Sequence, residues 1–333
     1  MKNKNLHEAK KNKKDEFYTQ IGDIEKELAH YKEHFKDKIV FCNCDDPEES
    51  NFWRYFSLNF EFLGLKKLIA THFETGKPSY KLELMQDVNG DGKVNGLDTI
   101  KTTLKQNGDF RSPECIEILQ EVDIVVTNPP FSLFREYVAQ LIEYNKKFLI
   151  VGHMNAITYK EIFPLIRDNL IWLGTNNNQS FVFETPYENT LPANKKFCEQ
   201  KGFEGDNYVK VPGINWYTNL THKKRNEEII LFKTYEGHEE DYPKYDNYDA
   251  IEVSKVVDIP IDYGGVMGVP ITFLDKYNPE QFIIEWLACG NTRASAPKEI
   301  LEHLKYLSHK DDRGGCGVVE GKRTYARILI RKK

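Results

Sequence analysis

Asp123-Ile124-Val125-Val126-Thr127-Asn128-Pro129-Pro130-Phe131 is the stretch on which the fold turns. Its apolar run, Ile124 to Val126, has the length and branching of a short buried strand. Asn128 and two prolines stop it, because neither proline can donate a ladder hydrogen bond. The chain then resumes as Leu133-Phe134-Arg135-Glu136-Tyr137-Val138 with helical spacing. The tetrapeptide from Asn128 therefore sits where a strand gives way to a helix, the carboxyl end of a strand in an open α/β sheet and the usual place for a ligand. There Asn128 offers an amide oxygen, the Pro129 carbonyl has no ladder partner and Phe131 offers an aromatic face. Two acceptors and a stacking plate suit a planar base that carries an exocyclic amino group. The plainer alternative is a Pro-Pro turn with a capping Asn. The strand before it, the aromatic after it and the helix beyond weigh towards the ligand site.

Outward towards the N-terminus, Lys38-Ile39-Val40-Phe41-Cys42 is the first strand, followed by Asn43-Cys44-Asp45-Asp46-Pro47 and a helix with Phe52, Tyr55 and Phe56 on one side. Nucleotide-binding folds usually place glycines at this turn. Here there is none, so binding falls to side chains, and Asp45 or Asp46 suits an ammonium or ribose hydroxyls. Asp46 with Pro47 also reads as a helix N-cap, and both readings can hold. Before that strand, Ile21, Ile24, Leu28 and Tyr31 recur at three- and four-residue steps, an amphipathic helix capped by Thr19 or Asp23. A second strand spans 65–71, with Glu74 behind it as a candidate ribose ligand. Cys115 to Leu119 is a helix, 148–152 a further buried strand and 162–166 a helix. Trp172 and Phe181 to Phe183 lie on later strands. Val209 to Leu220 is expected to close the sheet.

Asp87 to Asp98 matches the calcium-loop spacing of side-chain oxygens, with Gly92 at the sixth position and Val94 at the eighth. Asp87, Asn89, Asp91 and Asp98 with the Lys93 carbonyl are the expected ligands of one structural calcium ion, and Ile100 to Leu104 is expected to continue as a helix. Asp98 replaces the usual bidentate Glu. An insertion at 85–105 that merely turns tightly is the alternative.

The 333 residues carry a net charge of −5, with 40% hydrophobic and 29% charged residues. Such a balance gives no global attraction to nucleic acid, so binding would rest on local clusters. Lys223-Lys224-Arg225 is the candidate for DNA phosphates, beside Lys10 to Lys14, Lys195-Lys196 and Arg331 to Lys333. The six cysteines show no paired metal spacing and read as reduced thiols. No apolar run approaches membrane-spanning length, and the expected location is the cytoplasm. From about Tyr235 the composition shifts towards Tyr, Asp and Pro, suggesting a boundary. Beyond it, Gly264 to Pro270 reads as a flexible turn before a strand over 271–274, and the chain ends on a basic strand. The expected organisation is a basic tail at 1–14, a catalytic domain at 15–235 and a smaller region at 236–333.

Asn128-Pro129-Pro130-Phe131 resembles the catalytic tetrapeptide of amino-group methyltransferases that use S-adenosyl-L-methionine. The longer text, Asp123 through Tyr137, resembles the EcoRI-type adenine-specific DNA methyltransferases. So do Asp15-Glu16-Phe17-Tyr18-Thr19, Cys42-Asn43-Cys44-Asp45-Asp46-Pro47 and Gly108-Asp109-Phe110-Arg111-Ser112. The resemblance covers most of the chain from about Lys14. It implies an α/β, Rossmann-like class I methyltransferase fold, a mostly parallel sheet with helices on both faces, plus a smaller C-terminal recognition region. It implies Asn128, Pro129, Pro130 and Phe131 as catalytic residues. Phe17, Tyr18, Thr19, Asn43, Asp45, Asp46, Asp109 and Phe110 would hold the cofactor, with Gly108 to Phe110 at the turn after a third strand. The implied activity is methylation of the N6 amino group of a flipped adenine in double-stranded DNA, with a restriction endonuclease encoded alongside. The alternatives are the same chemistry on RNA or a protein amide, and a DNA- or calcium-binding module without catalysis.

Overall fold

A computed structural model describes residues 17–76, 78–185 and 191–333. The tail at 1–14, with its lysines, and Asp15 and Glu16 lie outside them. The chain divides into two compact units, one comprising the chain up to Ala156 with Leu173–Thr221, the other Ile157–Trp172 with His222–Lys333.

Unit 1 is built on one sheet. Its strands are β1 (Tyr18–Thr19), β2 (Ile39–Cys42), β3 (Lys67–Thr71), β4 (Tyr80–Leu84), β5 (Ile100–Thr103), β6 (Ile124–Thr127), β7 (Lys147–His153), β8 (Trp172–Leu173, of which only Leu173 falls in this unit), β9 (Gln179–Glu184) and β10 (Tyr208–Thr218). The order is β1-β9-β10-β7-β6-β2-β3-β4-β5, with β8 pairing β10 off this path. β3, β2, β6 and β7 are parallel, and the flanks are antiparallel. β6 is buried along its whole length, as a parallel strand covered on both faces must be. Ile124 and Val126 join a core with Ile24, Leu28, Phe52 and Phe56 from the helices Ile21–Leu28 and Asn51–Leu58. Val125, one residue out of step, turns to the other face. That face carries the helix Phe134–Glu143, where Phe134 meets Tyr217 edge-on at 5.0 Å. Truncating a fully buried ring such as Phe52 would cost about 3–5 kcal/mol.

Several local expectations change. The helix over Asn51–Leu58 is capped by Ser50, whose Oγ accepts from the Phe52 amide at 3.2 Å. Asp46 instead accepts from the Glu48 amide at 3.0 Å. Neither Thr19 nor Asp23 caps the first helix; its N-cap is Gln20, because Thr19 is drawn into β1 opposite Phe183. Ile100–Thr103 is a strand, not a helix: the β-branched Ile100, Thr102 and Thr103 pair with β4. β10 does not close the sheet; it lies between β7 and β9.

Unit 2 holds a four-stranded sheet in the order β11 (Ala250–Glu252), β12 (Val266–Pro270), β16 (Arg327–Lys332), β13 (Phe282–Ala288). A short hairpin joins β14 (Val318–Val319) to β15 (Lys322–Arg323). The strand expected at 271–274 falls earlier, on the glycine-rich stretch. Pro270 ends that strand by lacking a donor, and Ile271–Lys276 winds as a 3-10 helix. Among the described residues no helix is long and apolar enough to cross a membrane.

Candidate active site at the carboxyl edge of the parallel strands

The strand order reverses between β2 and β6, with β3 on one side and β7 on the other. Loops leaving the carboxyl ends of two such strands diverge and open a crevice. Asn43 follows β2 and Asn128 follows β6, and the two turns are tied together. The Thr127 hydroxyl donates to the Asn43 carbonyl, and the Tyr137 hydroxyl donates to Asn43 Oδ1. Asn43, buried, is thus a staple between the two loops. Cys44, next to it, takes φ 74°, a left-handed conformation that costs a non-glycine residue about 1–2 kcal/mol. The absent glycine of this turn is therefore replaced by a cysteine held under strain, its thiol pushed up by burial.

Asn128 is 5% exposed. Its Nδ2 donates to the Phe17 carbonyl at 2.5 Å. A carbonyl accepts only from the NH2 end of an amide, so this bond fixes which end is which. Asn128 Oδ1 is left buried with no hydrogen-bond partner. An orphan of this kind needs a reason, and this one lies at the carboxyl end of β6, beside the point where the strand order reverses. Pro129 is buried beside it and Pro130 half-buried. The Phe131 ring, also half-buried, lies 5.8 Å from that of Phe17 at 24° and 6.2 Å from Phe183 at 77°.

The β1 strand brings Phe17, Tyr18 and Thr19 to this edge. The Asn51 side chain donates to the Thr19 carbonyl at 2.9 Å, and the buried Thr19 Oγ1 is a second orphan. Asp45 accepts from Ser50 Oγ at 3.1 Å. Asp46 accepts from the Tyr80 hydroxyl at 2.8 Å, with His72 Nε2 3.7 Å away. His72 in turn stacks on Tyr80, centroids 4.8 Å apart. Burial and the Asp46 carboxylate push the Tyr80 hydroxyl up, so it stays a donor.

Asp109 is clamped by Arg111 through Nε at 2.8 Å and a second guanidinium nitrogen at 2.7 Å. These bonds hold its carboxyl below the usual range against burial. An ionised carboxylate has about four acceptor positions, so the clamp leaves capacity for a further donor. The turn before it needs glycine: Gly108 has φ 78°, and a Cβ there would lie 1.8 Å from the His72 carbonyl oxygen. Phe110 is 7% exposed and meets Tyr137 edge-on at 5.0 Å. It packs as a wall and leaves little open ring. Gly108 follows β5, and since β4 runs antiparallel to β3 the edge is reached by a hairpin.

Arg111, Tyr137, His72 and Tyr80 were not expected here. A polar residue just past a strand end, as at His72, was the available signal. Nothing local marks Tyr137, which lies on a helix.

Two expected sites change character. In the loop at 87–98, Asp87 accepts from the Gly90 and Gly92 amides at 2.6 and 2.8 Å, and Asn89 and Asp91 from amides two residues on. The buried Asp98 accepts from Val88, Asn89 and Asn95. The Lys93 amide donates to Asp91 at 2.9 Å. These oxygens are turned inward on the loop's own amides, and among the described residues no group of three or more His, Cys, Asp or Glu is placed to hold a metal ion. The basic run also splits up. Lys223 is exposed, but Lys224 pairs with Asp275 at 2.7 Å. Arg225 is buried, 4.0 Å over the Trp172 ring and hydrogen-bonded to Asn169. Arg225 is a packing residue and is not available to a phosphate.

Residues 5–333 match the family model described as "Adenine-specific methyltransferase EcoRI". The chain is 46% identical to the Type II methyltransferase M.EcoRI of Escherichia coli, over 99% of this chain and 97% of that one. It is 42% identical to M.MpnI of Mycoplasma pneumoniae and 40% to M.MgeORF184P of Mycoplasma genitalium, each over 98% of both chains.

Proposed function

This chain belongs to the EcoRI family of adenine-specific methyltransferases, and on that premise we propose that it methylates the N6 amino group of adenine at a specific site in duplex DNA. The observation that carries the chemistry is the buried Asn128 Oδ1, an acceptor without a protein partner. An exocyclic adenine amine is a poor nucleophile because its lone pair is delocalised into the ring. Asn128 Oδ1 and the Pro129 carbonyl, each accepting one amine proton, favour the tetrahedral nitrogen and stabilise its developing positive charge. Pro130 fixes the turn that carries them. Asn128 is a neutral amide and takes no proton, so the surplus proton leaves to solvent. A base within a duplex cannot reach such an edge and must be flipped out, with Phe131 offering its face.

S-adenosyl-L-methionine supplies an electrophilic sulfonium methyl when bound. The residues present suit it: the carboxylates of Asp45 and Asp46 for an ammonium and ribose hydroxyls, and Phe17, Tyr18 and the orphaned hydroxyl of Thr19 on β1. Asp109 would receive an adenine amino group, with Phe110 as the wall beside it. Asn43 holds the two loops in place. Lys223 remains a candidate phosphate contact, and unit 2 is assigned the reading of the target. We place the reaction in the cytoplasm, alongside an endonuclease of the same specificity. The test is expression in a host lacking its own methylases, followed by modification-aware sequencing. N6-methyladenine confined to one motif is the expected result. RNA or protein methylation with unmodified DNA would overturn it.

A further inference from the structure

Unit 2 carries a backbone arrangement that its sheet does not require. Arg313, Gly314 and Gly315 follow one another at φ 47°, 102° and 123°. A Cβ on Gly314 would lie 2.2 Å from the Gly290 carbonyl oxygen, and one on Gly315 2.6 Å from Thr292 Cβ. Only glycine fits either place. The fully buried Asp312 before them accepts from Arg293 at 2.6 Å, from the Tyr306 hydroxyl at 2.5 Å and from the Gly314 amide at 2.9 Å. From the other side the Arg293 amide donates to the Gly314 carbonyl at 2.8 Å, and the Tyr248 hydroxyl to the Gly315 carbonyl at 2.5 Å. The turn is held on every side, and its exposed member is Arg313.

Arginine has no preference for the left-handed conformation. Strain that the surroundings over-determine is a pointer to function. A rigid turn also leaves little backbone ordering to lose on binding. A second turn follows a few residues on. β14 and β15 are joined through Glu320 and Gly321 at φ 48° and 71°, the consecutive positive angles of a tight two-residue hairpin. It exposes Lys322 and Arg323, and Tyr325 after it is 87% exposed. The Asn247 side chain ties down the segment between the two turns, donating to the Cys316 carbonyl and accepting from the Val318 amide, each at 2.9 Å.

We propose that Arg313 reads a guanine edge in the major groove of the target, with Lys322 and Arg323 on neighbouring phosphates. The planar fork of arginine matches the O6 and N7 acceptors of guanine, the commonest specific contact made to DNA. The hairpin cations supply a charge that carries no sequence information. This inference rests on the reading of the chain as a DNA methyltransferase.

The experiment takes the motif from the sequencing above and measures kcat/KM on the cognate duplex and on every single-substituted duplex. Wild type is compared with Arg313→Gly, which suits the backbone angle, and with Arg313→Lys, which keeps charge but loses the fork. Melting temperature and S-adenosylmethionine binding are followed in parallel. Both variants are expected to lose on the order of ten- to a hundredfold on the cognate duplex, with discrimination relaxed at one G·C pair alone. Lys322→Ala with Arg323→Ala should weaken binding to all duplexes alike and reduce the salt dependence. Unchanged discrimination at every G·C pair in folded Arg313→Gly, a uniform loss across all duplexes, or a motif with no G·C pair would overturn the assignment. A wild-type protein that methylates no DNA would overturn the functional reading beneath it, and the inference with it.

Discussion

The side-chain amide of Asn128 is pinned by the backbone of Phe17, Nδ2 to carbonyl oxygen at 2.5 Å. The residue that opens the proposed catalytic tetrapeptide is oriented by a segment more than a hundred positions earlier. That segment also places Phe17 under the ring of Phe131 and leaves Thr19 Oγ1 orphaned. The elements proposed to hold the cofactor and those proposed to hold the base therefore share one hydrogen bond.

Asn128→Ala removes the orphan acceptor and the Phe17 contact together. Methyl transfer should fall roughly a hundred- to thousandfold, the usual loss for one such dipole. S-adenosylmethionine affinity, measured by calorimetry, should stay within a few-fold. Full turnover in this variant would sink the proposed chemistry.

Phe131 rests on Phe17 with part of its ring open. Phe131→Ala should weaken capture of a flipped base by about 1–3 kcal/mol and touch cofactor binding much less. A 2-aminopurine at the target adenine reports this as a smaller fluorescence rise on binding. An equal rise in wild type and variant would make Phe131 core packing only.

The acid limb of stability should owe part of its shape to Asp312. Burial pushes its carboxyl up, but bonds from Tyr306, His309 and Gly314 and the Arg293 charge win and hold it at about 2, against an ordinary 3.8. With the folded value depressed, its stabilisation is fully present above about 4. It is lost as the pH falls towards 2. Asp312→Asn should cost about 1–3 kcal/mol at neutral pH by leaving buried donors unpaired. The same variant should lose less stability than wild type between pH 4 and pH 2 in denaturant melts. Parallel acid limbs would refute the role.

Arg225 was expected to meet DNA and instead stacks on Trp172 within unit 2. Its burial lowers the guanidinium to about 10. Arg225→Ala should therefore lower stability by about 1–3 kcal/mol through the lost stacking and hydrogen bond. The salt dependence of DNA binding should stay as in wild type. A flatter salt slope with an unchanged melting temperature would return Arg225 to the phosphates.

What the sequence disclosed follows the range of the forces involved. The strand, turn and helix around Asn128 are written in consecutive residues, so their order was legible, as was the α/β class; the sheet is mixed and not mostly parallel, with β3, β2, β6 and β7 parallel and antiparallel strands on both flanks. The interior place of β10 depends on β9, which pairs along the edge away from β7, and nothing near Val209 announces that. The helix expected over Ile100 to Leu104 follows the analogy with calcium loops, against the β-branched Ile100, Thr102 and Thr103, and the composition prevails. Arg225 reads as a phosphate contact because it follows two lysines. The rings that bury it lie about fifty residues away on either side.

The loop from Asp87 to Asp98 gives the last prediction, because its spacing and its bonding pull apart. The spacing is that of a calcium loop, in which carboxylates converge on an ion. In the structure the same oxygens face the loop's own amides. Asp98, 2% exposed, closes a capping box with Asn95 and reaches Val88 and Asn89 across the turn. Those amide bonds hold its carboxyl below the usual range, so it is charged at neutral pH and engaged by the loop's own backbone. If the loop supports itself in this way, Asp98→Ala should lower the melting temperature in metal-free buffer. Calcium added to chelator-treated wild type should leave that temperature where it was, since only a ligand that binds the folded state raises it. A rise on calcium addition that is lost in Asp87→Ala would show that the carboxylates turn outward to an ion after all, and would restore the metal site that the spacing suggests.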